Sequence, residues 1–234
     1  IWERDGRYHM LTGNLLVLRA YGLEQGMTAH QGDTAYLLVS ENLVDWTYLH
    51  PFYESDRLWT RMDEDNMCPD FFPLGDRHML LFISHNLGCQ YYIGRYEGDT
   101  FTPETHGRMT WVDNAFFAPE SLVDDRGRRI MWTWIFDGRE PETRQASAWS
   151  GTLSLPRVLW LGEDKTLRMA PPDELAALRG KHRRFENLPV EDGETVMLPD
   201  VSGRSLELDL RVVRRGATRV GVKVCAAPDG AEET

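Results

Sequence analysis

The stretch PLGDRHMLLFIS, Pro73–Ser84, decides how this chain folds. Its Gly-Asp pair favours a tight turn, because both residue types tolerate the backbone angles of such turns, and an apolar strand follows. The same design returns in ERDGRYHMLTG (Glu3–Gly13) and DDRGRRIMWTWI (Asp124–Ile135). Asp76 and Asp125 are 49 residues apart, and repeats of about 40–50 residues made of short strands are typical of propeller blades. The sequence therefore predicts an all-β fold of antiparallel blades without a long helix.

The sequence pattern changes after Arg157. The segment PPDELAALRGKHRRF reads as a connector in which Asp173 can cap a short helix. Beyond it, SLELDLRVV and TRVGVKVCA alternate polar and apolar residues with period two, which indicates a half-solvated antiparallel sheet. We therefore predict a propeller domain over residues 1–180 and the start of a β-sandwich domain over residues 181–234.

Composition excludes several classes of partner. The chain carries 26 Lys and Arg against 37 Asp and Glu, a net charge of −11, which repels the phosphates of nucleic acid. Its apolar runs are too short to span a membrane, which takes about 20 residues. Three cysteines without CxxC spacing (Cys68, Cys89 and Cys225) indicate neither a disulfide framework nor a zinc site, and the odd count favours a reducing, cytoplasmic compartment. We expect no metal and no cofactor; the sequence leaves the oligomeric state open.

The acid-rich stretch DEDNMCPDFFPL, Asp63–Leu74, is the strongest candidate for chemistry. It places four carboxylates within eight residues and then runs into aromatic residues. Like charges this close repel one another unless something offsets the repulsion. In a propeller the innermost strand of each blade begins beside the central axis, so carboxylates there converge on one funnel.

A family resemblance rests on this stretch and three others. CPDFFPL resembles the Glu-Cys-Pro-Asp motif of glycoside hydrolase family 32, which contains invertases, inulinases and levanases. FFAPESLVDDRGRRIMWTWI, AWSGTLSLPRVLWL and SENLVDWTYLHPFYES are similar to further segments of that family, and together the matches cover about residues 1–169 in the family's order. The resemblance implies a five-bladed β-propeller followed by a β-sandwich. It also implies hydrolysis of terminal β-D-fructofuranosyl bonds of sucrose or fructans by a retaining, two-carboxylate mechanism.

The chain departs from the family at its catalytic acids. The family nucleophile lies in an Asn-Asp-Pro motif of the first blade, and an Arg-Asp-Pro motif follows later, but this sequence contains no Asp-Pro pair. On this interpretation the first blade is missing, and we expect the chain alone to be inactive. At the family's general acid/base position, directly before Cys68, stands Met67, which cannot carry a proton.

The sequence contains three candidates for catalytic residues. We expect an acid of the loop before Met67, Glu64 first, to replace the missing acid/base. Glu120 in APES is the second candidate. The alternative interpretation of Glu64 is a solvated loop acid. The resemblance gives Asp70 the role of supporting the acid/base and the sugar. A retaining glycosidase needs its two carboxyl groups about 5–5.5 Å apart and a raised pKa on the proton donor.

Three further residues are predicted to bind substrate. Trp149, in a Ser-Trp-Ser-Gly turn, is the expected aromatic platform under one sugar face. Asp65 is expected to bind ring hydroxyls, and Cys68 lies in the motif itself, although a small buried hydrophobe is its simplest interpretation. The expected partner is sucrose or a fructan oligosaccharide.

Two alternatives stay open. A family 43-like pentosidase also uses five blades and three carboxylates, but CPD and SLPR argue against it. A carbohydrate-binding relative that has lost its acid/base is the other alternative, and Met67 argues for it.

Overall fold

Three antiparallel sheets make up the structure, a computed structural model that describes residues 1–13, 32–110, 115–203, 205–224 and 226. Sheet 1 consists of β1 (Trp2–Arg4), β2 (Arg7–Gly13), β3 (Thr34–Ser40) and β4 (Thr47–Glu54). Sheet 2 consists of β5 (Met67–Leu74), β6 (Arg77–Ser84), β7 (Gly88–Glu97) and β8 (Thr100–Arg108). Sheet 3 consists of β9 (Phe116–Val123), β10 (Arg129–Ile135), β11 (Thr152–Leu153), β12 (Arg157–Leu161) and β13 (Leu167–Ala170).

The predicted turn-and-strand repeat joins the first two strands of every sheet. The turn after β1 uses Asp5 and Gly6, both with positive φ, and the turn after β5 uses Gly75 at φ +63°. The turn after β9 is closed by Asp124, which accepts hydrogen bonds from the backbone and side chain of Arg128. The prediction of an all-β fold is therefore confirmed, and the only α-helix in the described residues, α1, is short (Pro141–Ser147).

The predicted number of blades is not confirmed. A five-bladed propeller without its first blade would have four, whereas the described residues form three. The segment after Trp149 does not begin another sheet, because it supplies β11 and β12, which pair in succession along one edge of β10. Together these two short strands take the place of a single third strand in sheet 3. The total of five blades stays a prediction.

Sheet 2 lies between sheets 1 and 3, and a different core fills each interface. Between sheets 1 and 2 the core is mainly aromatic, as expected for blades packed face to face, with Phe52, Tyr53, Phe82, Tyr92 and Phe101 buried. Between sheets 2 and 3 it is mainly aliphatic and sulfur-rich, with Met79, Leu81, Ile83, Met131 and Leu159 buried. Burying each such side chain contributes about 1.5–3 kcal/mol, so these interfaces hold the innermost strands in register.

Gly13 shows how closely sheets 1 and 2 approach each other. A Cβ atom on this residue would lie 1.6 Å from the carbonyl oxygen of Asn66, so any side chain here would move the backbone. Asn66 directly precedes β5. The start of β5, which carries the CPD motif, is therefore fixed against the end of β2.

The chain divides into two compact units, Ile1–Pro172 and Asp173–Thr234, so the boundary falls eight residues before the predicted one. The second unit begins with a 3-10 helix, Asp173–Leu178, where the sequence predicted a short capped helix. No strand occurs in its described residues, and Leu206, Leu208 and Leu210 are about half exposed. Period-two alternation forms a sheet only with a partner strand, and the predicted β-sandwich is not confirmed. Cys225 lies outside the described residues.

Candidate active site

Two matching irregularities, in β5 and β9, define the candidate site. Cys68 and Ala118 have φ angles of +49° and +44°, and each is followed by proline and then by an acid, Asp70 or Glu120. In both places two residues of the innermost strand oppose one residue of the next strand, which is a β-bulge. A bulge re-aims the side chain that follows it, and a left-handed residue other than glycine costs about 1–2 kcal/mol. The same strained device therefore presents one acid from each of two neighbouring sheets.

The two acids influence each other. Burial raises the pKa of Glu120, and the negative charge of Asp70 raises it further. Burial also raises the pKa of Asp70, but a hydrogen bond from Ser121 and the charge of Arg129 oppose that rise. The pKa of each acid is therefore raised by burial, and Asp70 differs in having a hydrogen bond and a counter-charge that favour its ionised form. Carboxyl groups whose surroundings divide them in this way are suited to separate roles in acid–base chemistry.

Cys68 lies close to Glu120 and to Asp65. Burial raises the pKa of its thiol first, and the charges of Glu120 and Asp65 raise it further. A thiol that stays protonated is a poor nucleophile, so Cys68 contributes packing and shape. The structure thus brings together four of the six predicted site residues: Asp65, Cys68, Asp70 and Glu120.

Asp65 acts through a histidine. Its side chain is almost fully buried; Oδ1 accepts a 2.8 Å hydrogen bond from the backbone N–H of His85, and Oδ2 lies 2.7 Å from Nδ1 of that residue. The imidazole is about half exposed and its ring meets Phe117 edge-on. Because Asp65 is buried and both of its oxygens contact His85, it is not placed to bind ring hydroxyls as predicted, and it instead orients His85.

Glu64 occupies a different position from the one predicted. It is 1% exposed, and its Oε1 accepts a 2.8 Å hydrogen bond from the backbone N–H of Arg61. Its Oε2 accepts a 2.7 Å hydrogen bond from Nε2 of Gln90. Glu64 is therefore neither a solvated loop acid nor placed as a proton donor, because both of its oxygens stabilise the loop before β5. Glu120 becomes the leading candidate among the predicted acids.

Trp149 lies on the surface after α1. Its side chain is 57% exposed, and the guanidinium of Arg139 lies 3.9 Å from the ring centroid. Asp137 fixes that arginine through a 2.7 Å ion pair. Trp149 also lines an open pocket of about 460 Å³ with Pro141, Arg144, Ala148 and Ser150. An exposed ring held in one orientation remains a suitable sugar platform.

A row of aromatic rings runs between Trp149 and the acids. Gly151 packs against the indole of Trp134, whose ring centroid is 4.4 Å from that of Phe136. Phe136 stacks on Phe117 at 4.8 Å, and Phe117 stands in β9 three residues before Glu120. Trp134 is itself 44% exposed. These aromatic contacts therefore link the segment just after Trp149 to β9, the strand that carries Glu120.

Arg129 contacts residues of both sheet 2 and sheet 3. Its guanidinium lies 4.3 Å from the ring centroid of Phe72, and its Nη1 donates a hydrogen bond to Ser121.

The signal that would have found this site is the repeat itself. Cys-Pro-Asp and Ala-Pro-Glu stand 50 residues apart, close to the spacing of the turns. Within the described residues, no group of three His, Cys, Asp or Glu side chains could hold a metal ion.

Stacked antiparallel sheets with acids on their innermost strands are the features of a β-propeller glycosidase domain. A family model described as "Glycosyl hydrolases family 32 N-terminal domain" matches residues 19–171. The chain therefore belongs to glycoside hydrolase family 32.

The relatives carry related names. The chain is 25% identical over 253 residues to a sucrose-6-phosphate hydrolase of Zymomonas mobilis, a match that covers 99% of this chain and 46% of that protein. It is 28% identical over 211 residues to a fructan 1-exohydrolase of Bromus pictus, covering 79% of this chain and 34% of that protein. The chain thus spans less than half the length of these two relatives.

Solved structures share the fold. A variant of fructan 1-exohydrolase IIa from Cichorium intybus, in complex with 1-kestose, aligns with a TM-score of 0.61 and 23% identity, over 76% of this chain and 34% of that one. A family 32 β-fructofuranosidase of Bombyx mori aligns with a TM-score of 0.61 and 22% identity, over 77% of this chain and 38% of that one. No helix in the described part of the chain is long and apolar enough to cross a membrane.

Proposed function

We propose that the protein containing this chain hydrolyses terminal β-D-fructofuranosyl bonds of sucrose or fructans with retention of configuration. Membership of family 32 supports this function, as do relatives named sucrose-6-phosphate hydrolase and fructan 1-exohydrolase. Structural neighbours in complex with 1-kestose and with sucrose support the substrate class. The observation that carries the proposal is the convergence of Asp70 and Glu120 from matching bulges.

Glu120 is the proposed proton donor, because Met67 stands at the family's acid/base position and cannot carry a proton. Its raised pKa favours the protonated form, and it gives this proton to the glycosidic oxygen as a nucleophilic carboxylate, which the described residues do not supply, bonds to the fructosyl carbon. In the second step its carboxylate takes a proton from the attacking water. Asp70 stays ionised and stabilises the positive charge that develops on the furanosyl ring. None of the described acids is assigned the role of nucleophile.

The remaining predicted residues are proposed to shape the substrate site or to bind the substrate. Asp65 orients His85 toward the sugar, Cys68 shapes the floor beside the acids, and Trp149 stacks on a ring further out. The aromatic row through Phe117 and Phe136 joins these two regions. This arrangement suits a substrate with more than one sugar unit.

A second candidate function is sugar binding without turnover. Met67 favours it, because the residue at the family's acid/base position cannot donate a proton. The two candidates share a binding site and differ only in whether Glu120 supplies the proton.

Fructose release from sucrose and 1-kestose by the full-length protein tests the proposal. Glu120→Gln should lower kcat on sucrose by about 10²–10⁴-fold, the usual contribution of a positioned acid. The loss should be much smaller on 4-nitrophenyl β-D-fructofuranoside, whose leaving group needs no proton. Glu41→Gln, an exposed acid after β3, is the matched control. Binding of 1-kestose in calorimetry without release of fructose would instead establish the sugar-binding function.

A further inference from the structure

Three polar side chains form a chain of hydrogen bonds from sheet 3 to sheet 2. Arg129 begins β10, and its Nη1 donates a 3.2 Å hydrogen bond to Oγ of Ser121 in β9. Oγ of Ser121 in turn donates a 2.5 Å hydrogen bond to Oδ2 of Asp70 in β5. The charge of Arg129 also acts directly on Asp70. The two hydrogen bonds therefore lead from Arg129 through Ser121 to Asp70 in the candidate site.

The guanidinium of Arg129 is held in place on several sides. It lies over the ring of Phe72 at 4.3 Å and is only partly exposed. Its Nε atom is buried, and no hydrogen-bond partner is found for it among the described residues. Burial lowers the pKa of this arginine, whereas the charge of Asp70 raises it. A partly buried arginine is costly without a counter-charge, and Asp70 supplies that charge.

Ser121 directly follows Glu120 in β9. Its hydroxyl reaches from β9 to β5 and holds the carboxyl group of Asp70. Its hydroxyl can donate to only one acceptor, and Asp70 takes that hydrogen bond. A hydrogen bond to the charged form of a carboxyl group favours that form.

We propose that Ser121 and Arg129 are positioning residues that keep Asp70 ionised and correctly oriented beside the proton donor Glu120. The inference rests on the proposed function, in which Asp70 works as a carboxylate. Removal of either residue leaves Asp70 partly buried with fewer groups that favour its charge. The pKa of Asp70 then rises further, because burial is less strongly opposed.

The first experiment measures pH profiles of kcat/KM on sucrose for full-length Ser121→Ala, Ser121→Thr and Arg129→Met. Activity needs ionised Asp70, so it rises with pH through the Asp70 pKa, and a higher pKa moves this acidic limb upward. We expect a shift of about one pH unit in Ser121→Ala and Arg129→Met, with a loss in kcat larger than the change in KM. Ser121→Thr, which keeps the hydroxyl, should restore the parent profile.

Arg157→Met is the matched control for the arginine. The guanidinium of Arg157 lies 4.4 Å over the ring of Phe116 in the same sheet, and its Nη1 points to Sδ of Met169. This variant loses a comparable stacking contact without touching Ser121, so its acidic limb should match the parent's. An equal shift in Arg157→Met would show that the effect is a general loss of packing, which overturns the inference.

The second experiment does not depend on turnover. Carboxyl carbon NMR titration of Asp70 in the full-length protein, assigned with Asp70→Asn, measures its pKa in the parent and in Ser121→Ala. A higher pKa in the variant supports the positioning role even if the parent releases no fructose, an outcome that would refute the proposed function alone. An unchanged Asp70 pKa in Ser121→Ala overturns the inference whatever the parent's activity.

Discussion

Tyr92 donates a 2.5 Å hydrogen bond from its phenol to the buried carboxylate of Asp33, and so joins β7 to the residue before β3. Thr60 and Asn66 also donate to this carboxylate, at 3.1 and 2.7 Å. Asn66 is the residue directly before β5. One buried acid therefore ties sheet 1, sheet 2 and the entry to the candidate site together.

Asp33 should make the stability of the protein fall as the pH rises from about 4 to about 6. Burial raises its pKa to about 6, against about 3.9 in an unfolded chain. The native state therefore binds this proton more tightly than the unfolded state, and the free energy of unfolding decreases by about 2–3 kcal/mol across that window. Urea unfolding at a series of pH values measures the decrease.

Asp33→Asn should be less stable at low pH, because an amide has one acceptor oxygen for three donors, but should lack this decrease. Asp63→Asn, an exposed acid close to the same loop, should keep it. An Asp33→Asn protein with the parent's pH dependence would assign the effect to another group.

Glu64→Gln should destabilise the protein and leave its chemistry intact. The new amide would face the side-chain amide of Gln90, which removes one buried hydrogen bond at a cost of about 1–3 kcal/mol. Thermal unfolding measures the loss, and activity per folded molecule should match the parent's. A variant of normal stability whose activity on sucrose falls 100-fold would return Glu64 to the role of proton donor.

Trp149→Ala should weaken sugar binding more than it weakens the fold. The ring is 57% exposed, and an exposed cation–π contact such as that with Arg139 contributes about 0.5–1 kcal/mol. We expect the affinity for 1-kestose to fall about tenfold in calorimetry, the scale of an aromatic binding residue. Trp160→Ala, which removes a 44% exposed ring from β12, should bind like the parent. Loss of folding with unchanged affinity would make Trp149 a core residue.

Ala118→Gly should leave stability almost unchanged. Glycine relieves the left-handed backbone at φ +44° but adds freedom to the unfolded chain, and the two effects nearly cancel. Ala35→Gly, at a fully buried position of β3, relieves no strain and should cost about 1 kcal/mol or more. Urea unfolding compares the two variants, and equal losses would contradict a left-handed residue at position 118.

The fold was predictable because its signals are local. Turns such as Gly75-Asp76 and the apolar strands after them are fixed by residues next to one another in the sequence. The sheet count was not predictable in the same way. Whether the residues after Trp149 begin a sheet or complete one depends on their pairing with β10, a partner some twenty residues away.

The candidate site was also predictable from the sequence only in part. Asp70 and Glu120 were named because each stands in a recognisable motif beside a proline. Glu64 was misplaced because its partner, Gln90, comes from another strand, and no pattern near Glu64 indicates that hydrogen bond. The position of Arg129 was not predictable for a similar reason, since its contacts with Phe72 and Ser121 arise only when sheets 2 and 3 pack.

The matching bulges at Cys68 and Ala118 give two neighbouring sheets the same position for an acid. A propeller that grows by copying a blade copies the bulge and its acid as well, so each copy brings a spare carboxylate toward the axis. Here the duplicated position holds Asp70 in sheet 2 and Glu120 in sheet 3, whereas Met67 corresponds to Phe117. One backbone feature can therefore present an acid from either of two sheets while the fold stays unchanged.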